Sequence, residues 1–321
     1  MSSGRLLVLG AGGFLGTHVR RALVAAGWDD VALVSGSGGA PAGAAAAEGG
    51  MGRWHRLDLA TADRSALAPI IAAERPVAVV NCSGTTHGDA VRLVRGNVVL
   101  VGELLAAIAD GAPGARFVQL GSSAEYGAVQ PGTAIDEETP PNPLAPYGVT
   151  KLAGTELALA AGRTGAVDAV VLRVFNPIGS GMTPSSLPGR AAATLREALA
   201  AGERRIALGS LEDHRDFVDV GDVAAAVVAA LAAPGSIGPR ILNVGSGRAT
   251  RARDLVTQLA TVAGFDGEIA EDQASSPRSS AVPWQQADIS SIASTLGWRP
   301  RRTLAQSIED VWRDAETAER R

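Results

Sequence analysis

Residues Arg5–Gly16 read RLLVLGAGGFLG, an apolar run that ends in closely spaced glycines where a helical pattern begins. Glycine permits a tight turn and lets the backbone approach a pyrophosphate, which the free N–H groups and the dipole of a helix N-terminus also favour. A strand-to-helix turn without a ligand is the alternative, but its place in the first βα unit of an alternating chain favours a dinucleotide. We therefore predict that the phosphates of a nicotinamide cofactor bind at Gly10, Gly13, Phe14, Leu15 and Gly16.

The first half of the chain continues this alternation of short apolar runs and helical patterns. The runs are apolar on both faces, which is typical of a parallel sheet covered by helices on each side. The sequence therefore predicts an α/β fold with a Rossmann-type, doubly wound parallel sheet. The predicted strands are Arg5–Leu9, Val31–Val34, Trp54–Leu57, Val77–Asn81, Arg116–Leu120 and Ala169–Val174, and the predicted helices are Phe14–Ala26, Arg64–Glu74, Val91–Asp110 and Pro146–Arg163.

The pattern loosens from about Asn176 onward. We expect residues 1–175 to form the cofactor-binding domain and residues 176–321 a smaller, mostly helical substrate lobe, with the chain crossing back to the sheet. The Gly/Ala-rich stretch Ser35–Gly52 is predicted to be a surface loop. Helices of the lobe are predicted near Gly189–Ala201, Asp222–Ala232, Arg251–Ala263, Ile289–Leu296 and Leu304–Glu319, with short strands at Ile206–Leu208 and Ile241–Val244.

The composition restricts the possible partners. The 321 residues include 29 basic and 33 acidic side chains, a net charge of −4, without the clustered basic excess of a nucleic-acid-binding surface. The apolar run at the N-terminus is too short for a signal peptide or a membrane span. We expect a cytoplasmic protein with no nucleic acid, membrane or metal partner. Cys82, the single cysteine, is expected to be buried as a small hydrophobic residue.

The strongest catalytic pattern is Tyr147-Gly-Val-Thr-Lys151, which contains the only lysine of the chain. Four residues apart on a helix, the two side chains share a face. A phenol has an ordinary pKa of about 10, and a nearby ammonium lowers that pKa by favouring the phenolate. Tyr147 can then exchange a proton with a substrate oxygen as hydride moves, and Lys151 can also hold the nicotinamide ribose. A surface helix pair is the alternative, which the glycine turn upstream disfavours.

A third element is the run LGSSAEYG at Leu120–Gly127, which follows a predicted strand. The carboxyl ends of parallel strands are where doubly wound folds bind their ligands. We predict that Ser123 donates a hydrogen bond to the same substrate oxygen as Tyr147. Ser122 and Glu125 are predicted substrate contacts, with Glu125 a further candidate for acid–base chemistry. A polar turn with a helix cap is the alternative for this run.

The second strand ends at Val34-Ser35-Gly36, without the acidic residue that would bind a ribose 2′-hydroxyl. This favours NADP over NAD, although no arginine stands at the strand end either. Asp58 and Leu59 are the candidates to meet the adenine. For Asp58, capping of the following loop is the alternative.

Over nearly its whole length the chain resembles the nucleotide-sugar branch of the extended short-chain dehydrogenases, and especially the GDP-4-keto-6-deoxy-mannose reductases. The resemblance rests on the serine turn, on the run RVFNPIGSG from Arg173, on GSLEDHRDFVDV from Gly209, and on NVGSG from Asn243. It implies that Asn176, Arg215 and Arg278 contact the substrate diphosphate. The turn after the fourth strand departs from the family's usual sequence, so Thr85, Thr86 and His87 are expected to face a different sugar.

Together with Ser123, Tyr147 and Lys151, this resemblance implies the reduction of a keto group on a nucleotide-diphosphate deoxysugar by NADPH or NADH. An epimerase or 4,6-dehydratase that returns the same hydride is the runner-up. Ala124 stands where a dehydratase would place one acid of an Asp/Glu pair, which disfavours that reaction. A non-catalytic NAD(P)-binding protein is the third interpretation, disfavoured because Tyr147 and Lys151 are both present. The helix Val91–Asp110 is apolar nearly all round, which suggests a homodimer.

Overall fold

The computed structural model describes residues 4–36, 53–238, 240–272 and 282–318. The predicted loop Ser35–Gly52 falls mostly outside these ranges. The described strands are β1 (Leu6–Leu9), β2 (Val31–Ser35), β3 (Trp54–Arg56), β4 (Ala78–Asn81), β5 (Arg116–Ser122), β6 (Asp168–Val174), β7 (Asn176–Ile178), β8 (Arg205–Ala207), β9 (His214–Asp219), β10 (Arg240–Val244), β11 (Ala249–Arg251) and β12 (Glu268–Ala270). The described helices are α1 (Phe14–Ala25), α2 (Arg64–Glu74), α3 (Ala90–Val94), α4 (Leu100–Gly111), α5 (Pro146–Arg163), α6 (Leu187–Ala201), α7 (Val220–Ala232), α8 (Ala252–Ala263), α9 (Ser290–Leu296) and α10 (Leu304–Ala318).

Seven of the described strands form one parallel sheet in the order β10-β6-β5-β4-β1-β2-β3. The predicted Rossmann-type fold is confirmed. The strand order reverses between β1 and β4, and a ligand crevice opens at the carboxyl ends of strands at such a switch point. The glycine turn that follows β1 therefore lies at the ligand-binding edge of the sheet.

Both faces of the sheet are covered, as the two-sided apolar runs indicated. Successive residues of β1 enter opposite cores: Leu6 and Val8 join one cluster, and Leu7 and Leu9 join the other. The first core includes residues of α1 and α7, and the second includes residues of α2, α4 and α5. Because a strand alternates its side chains between faces, this burial fixes the register of the sheet.

The second half of the chain both returns to the sheet and forms a lobe with its own core. The predicted strand Ile241–Val244 belongs to β10, the edge strand beside β6, and α7 packs on α1. The lobe contains, besides its helices, the small sheets β11-β9-β7 and β12-β8. Its core joins α6, α8 and α10 around apolar residues that include Leu195, Leu255 and Ile308.

The predicted helix Val91–Asp110 is interrupted. A π-helical turn at Arg95–Val99 separates α3 from α4. Such wide turns occur often at functional sites. Here the turn carries Asn97, a buried polar side chain within an otherwise apolar stretch.

Candidate active site

The turn after β1 has the geometry of a phosphate cradle. Gly10 has φ of +71°, and a Cβ built there would lie 2.7 Å from the amide nitrogen of Ser83. A Cβ at Gly16 would overlap the carbonyl oxygen of Gly10. Helix α1 begins after Gly13 with no side-chain cap and no acidic residue in its first turn. Its first N–H groups therefore suit an anion, and the residues present fit a dinucleotide diphosphate.

Asp58 and Leu59 are the residues that were predicted to meet the adenine. The Asp58 carboxylate accepts a hydrogen bond from the Ala60 amide at 3.0 Å. The exposed side chain thus closes its own turn, as the capping alternative proposed, and Leu59 packs against the second core. The hydroxyl of Ser35, at the end of β2, would lie 2.7 Å from a Cβ at Gly12. A polar but uncharged group therefore ends β2 beside the glycine turn.

The predicted lysine lies in the interior. Lys151 is 7% exposed, and its Nζ donates a hydrogen bond to the carbonyl oxygen of Leu120 at 2.5 Å. Leu120 belongs to β5, the strand that ends at Ser122, so this bond joins α5 to the strand that carries the serines. Burial lowers the pKa of the Lys151 ammonium, and the negative charge of Glu125 opposes that shift.

Tyr147 lies in the first turn of α5, which begins at Pro146. Proline suits this position because the N–H that it lacks would have no partner within the helix. The tyrosine is half-buried. Gly148, the next residue, packs so closely on the Ala124 carbonyl that a Cβ would overlap it. Ala124 follows Ser123, which is 5% exposed. The backbone contact therefore brings the start of α5 against the serine turn.

Ser122 and Glu125 form a capping box around the short 3₁₀ turn Ser123–Glu125. The Ser122 hydroxyl accepts from the Ala124 amide at 3.2 Å, and Glu125 Oε1 accepts from the Ser122 amide at 2.8 Å. Glu125 is completely buried, and its Oε2 accepts from Thr155 and Arg173. The structure therefore differs from the predicted role of Glu125 as a substrate contact or acid–base group, because both of its oxygens are engaged in the interior.

The loop after β4 is held by Asn97, a residue that the sequence analysis missed. Asn97 accepts from the Thr85 amide and donates to the Thr85 carbonyl, both at 2.8 Å, and also donates to the Thr150 hydroxyl at 3.0 Å. Thr150 precedes Lys151 on α5. The sequence offers one signal for Asn97, which is a polar residue within an otherwise apolar helical stretch. Thr86 and His87 are both exposed, and the Oγ1 atom of Thr86 lies 2.6 Å from the Nδ1 atom of His87.

Two of the three predicted diphosphate residues, Asn176 and Arg215, lie on the lobe side. Arg215 is held by Asp213 at 3.1 Å and by the His214 carbonyl at 2.9 Å, while Arg278 lies outside the described residues. Asn176 donates to Gln285 at 3.2 Å, and Gln285 donates to the Ser123 carbonyl at 3.4 Å. Gln285, which sequence reasoning also missed, thus bridges the lobe and the serine turn.

The neighbouring Asp216 has a structural role. Its buried carboxylate accepts from the amides of Ser246, Gly247 and Ala287.

Among the described residues, no group of three His, Cys, Asp or Glu side chains is placed to hold a metal ion. Within the same ranges, none of the helices has both the length and the hydropathy needed to cross a bilayer.

The model of the NAD dependent epimerase/dehydratase family matches residues 6–245. The chain belongs to this family. It is 38% identical to dTDP-6-deoxy-L-talose 4-dehydrogenase (NAD(P)(+)) of Kitasatospora kifunensis, over 98% of this chain and 96% of that protein. It is 32% identical to GDP-6-deoxy-D-mannose reductase of Pseudomonas aeruginosa, over 98% and 97% of the two chains.

The solved structure of RMD from Pseudomonas aeruginosa complexed with NADPH covers 98% of this chain and all of that one, with a TM-score of 0.81 and 30% identity. The resemblance to the extended short-chain dehydrogenases and the prediction of an NAD(P)-dependent enzyme are confirmed. The residue roles remain predictions.

Proposed function

We propose that this enzyme transfers hydride between NADP(H) and C4 of a dTDP-linked 6-deoxyhexose, and that it reduces the 4-keto sugar. The reaction class follows the nucleotide-sugar dehydrogenase and reductase to which the chain is similar over almost its full length. The choice of dTDP and of C4 follows the relative with the higher identity, 38% against 32%. The main support within the site is the bond from Lys151 to Leu120, which ties the lysine of α5 to the strand that ends at the serines.

Bound NADPH supplies the hydride that adds to the carbonyl carbon. In the proposed mechanism Tyr147 gives its phenolic proton to the substrate oxygen, so that the ketone becomes a secondary alcohol. Ser123 donates a second hydrogen bond to that oxygen and favours the charge that develops on it. Lys151 stays protonated, lowers the pKa of the Tyr147 phenol and binds the nicotinamide ribose.

The substrate would extend from this centre toward the lobe. Asn176, Arg215 and Arg278 are the proposed diphosphate contacts, and an arginine guanidinium suits phosphate oxygens because it presents paired donors. Thr85, Thr86, His87 and Ser122 are proposed to line the sugar site. Asn97 supports this assignment for Thr85, because it fixes the Thr85 backbone against α5.

The preference for NADP rests on the end of β2. Ser35 and Gly36 leave no carboxylate there to bind a ribose 2′-hydroxyl or to repel a 2′-phosphate. Measured kcat/KM values for NADPH and NADH test the preference, which requires the larger value for NADPH.

We also propose a cytoplasmic homodimer. Val91, Val94 and Val99 on the α3–α4 segment, with Val149 and Leu157 on α5, are exposed. These two segments lie side by side, so their apolar residues form a surface that a second copy would cover. Sedimentation analysis of the wild type and of Val94→Glu tests this: a dimer that becomes monomeric supports the proposal, and a monomeric wild type contradicts it.

The proposed reaction is tested with the 4-keto derivative of dTDP-6-deoxy-L-talose and with that of GDP-6-deoxy-D-mannose, each mixed with NADPH. We expect stoichiometric loss of NADPH absorbance with the dTDP sugar and a much lower kcat/KM with the GDP sugar. Equal use of both would refute the nucleotide assignment. Turnover without net NADPH loss would identify an epimerase or a dehydratase.

A further inference from the structure

Beneath the serine turn lies a buried ion pair that the proposed reaction does not use. Arg173 Nε donates to Glu125 Oε2 at 2.7 Å, and the exposed fractions of the two residues are 1% and 0%. Such a pair is weak evidence for stability, because hydrophobic residues of similar volume stabilise a core as well or better. The pair lies instead directly behind the serine turn of the candidate active site, so its role is sought there.

Glu125 connects three elements that meet at the catalytic centre. Through Oε1 it accepts from the amide of Ser122, at the end of β5. Through Oε2 it accepts from Arg173 on β6 and from the Thr155 hydroxyl on α5 at 2.9 Å. Thr155 lies one helical turn after Lys151, and residues four apart share a helix face. The carboxylate therefore ties the serine turn to the face of α5 that carries the lysine.

The surrounding residues are arranged around this pair. A Cβ at Gly121 would lie 2.8 Å from Glu125 Oε1 and 3.1 Å from Arg173 Cγ, so only glycine leaves room there. The Arg173 guanidinium stacks on the Tyr126 ring, 4.5 Å from its centroid. The Tyr126 hydroxyl in turn donates to Asn243 at 2.7 Å. Arg173 is thus fixed on the side of Glu125 that faces β10.

The buried lysine needs a counter-charge. Desolvation lowers the pKa of Lys151, and Glu125 is the charged group that opposes the shift. Arg173 is the cation paired with Glu125. On the lysine's own helix, Tyr147 lies one turn before Lys151, and the other titratable residues, Glu156 and Arg163, are exposed. The β4 loop contributes Gly84, whose Cβ would lie 3.9 Å from Lys151 Nζ, and carries no charge at that point.

We propose that Glu125 is a positioning residue for Lys151: it fixes the serine turn against α5 and supplies, partly balanced by Arg173, the negative charge that keeps the buried ammonium in place. The role of Lys151 itself rests on the proposed function. A neutral lysine would no longer favour the Tyr147 phenolate. Glu125 therefore acts on the proton transfer without touching the substrate.

The only lysine of the chain permits a direct test. Protein labelled with carbon-13 at lysine Cε gives one side-chain signal, and its chemical shift reports the protonation of Lys151 during a pH titration. No substrate is needed, so a failed titration test is distinguishable from a failed activity. An inactive enzyme that titrates as expected contradicts the proposed function alone.

Three variants separate charge from packing. Glu125→Gln keeps an acceptor but removes the negative charge that opposes the desolvation of Lys151, so we expect the Lys151 midpoint to fall by roughly one pH unit or more. Glu125→Gln/Arg173→Met removes both charges and should titrate between Glu125→Gln and the wild type, because the attraction and the repulsion are both lost. Thr155→Val removes one hydrogen bond without changing any charge and should titrate with the wild type.

Circular dichroism checks that each variant is folded. If Glu125→Gln alone does not fold, the charge-free double variant carries the test and must still titrate below the wild type. Equal midpoints in all folded variants would overturn the proposal. A midpoint in Thr155→Val as low as in the charge variants would also overturn it, since packing would then explain the effect.

Discussion

The turn after β1 and the turn after β5 follow strands of the same sheet but are built in opposite ways. The first consists of glycines and uncapped backbone N–H groups, and its capacity to bind an anion depends on the absence of side chains. The second is closed by side chains, with a capping box, a buried ion pair and the ammonium of Lys151 around it. In the proposed mechanism, one edge of the sheet therefore binds phosphate through its backbone and performs proton transfer through its side chains.

Removal of the Tyr147 hydroxyl should have the largest effect on this division of roles. Tyr147→Phe deletes the proposed proton donor, so we expect kcat to fall by about 10²–10⁴-fold, the usual contribution of general acid–base catalysis. The dissociation constant of NADPH should stay nearly unchanged, because the glycine turn is untouched. Steady-state kinetics and fluorescence titration measure the two quantities. Retention of most activity would show that another group gives the proton.

Removal of the Arg173 charge, which leaves Glu125 unpaired behind the serine turn, should have the next largest effect. That effect is on the free energy of unfolding. Arg173→Met leaves Glu125 buried without its cation, which we expect to lower the free energy of unfolding by about 3–5 kcal/mol. Adding Glu125→Gln to that variant should restore most of the loss. Urea unfolding of the single and double variants measures the difference. A double variant no more stable than Arg173→Met would mean that the pair is not coupled.

The two turns also differ in how much of their structure could be predicted from the sequence. The glycine turn and the Tyr147/Lys151 spacing are local patterns, and the structure places both at the predicted edge of the sheet. The partners of the second turn come from distant parts of the chain: Arg173 is 48 residues from Glu125, and Gln285 is 162 residues from Ser123. A single sequence gives no signal for such contacts, and so Glu125 was assigned to the substrate.

The same limit explains the other differences. Asn97 reaches the Thr85 loop because a π-helical turn widens the helix, and the apolar periodicity on either side predicts only a continuous helix. The strand Ile241–Val244 was predicted, but its neighbour β6 in the parallel sheet depends on tertiary packing.

A matched pair of glycine variants tests whether the first turn depends on close packing. Gly10 and Gly114 have similar φ values, +71° and +75°, but only Gly10 has heavy atoms within 4 Å of a built Cβ. Gly114→Ala should cost only the left-handed conformation, about 1–2 kcal/mol. Gly10→Ala should cost about 1–3 kcal/mol more through steric overlap and should weaken NADPH binding. Equal losses in urea unfolding would mean that the turn tolerates a side chain.

A half-buried carboxyl, that of Glu137, should give the smallest effect. Burial raises the pKa of Glu137, although the Asn243 amide donates to it at 2.7 Å. An acid with a raised pKa in the folded state costs stability once the pH rises above the unfolded value. Glu137→Gln should therefore raise the free energy of unfolding at neutral pH by less than about 1 kcal/mol, and leave it unchanged at pH values below the ordinary glutamate pKa. Thermal unfolding at both pH values checks this, and destabilisation at neutral pH would contradict it.

The central claim is that the two turns cooperate in net hydride transfer to a nucleotide-linked sugar. The most direct measurement supplies NADPH with two deuterium atoms at nicotinamide C4, so that either face delivers the label, and follows the label by NMR after incubation with the 4-keto dTDP sugar. We expect one deuterium at C4 of the sugar for each NADP⁺ formed. A converted sugar without deuterium and without NADP⁺ would contradict the account and assign the chain to epimerisation or dehydration.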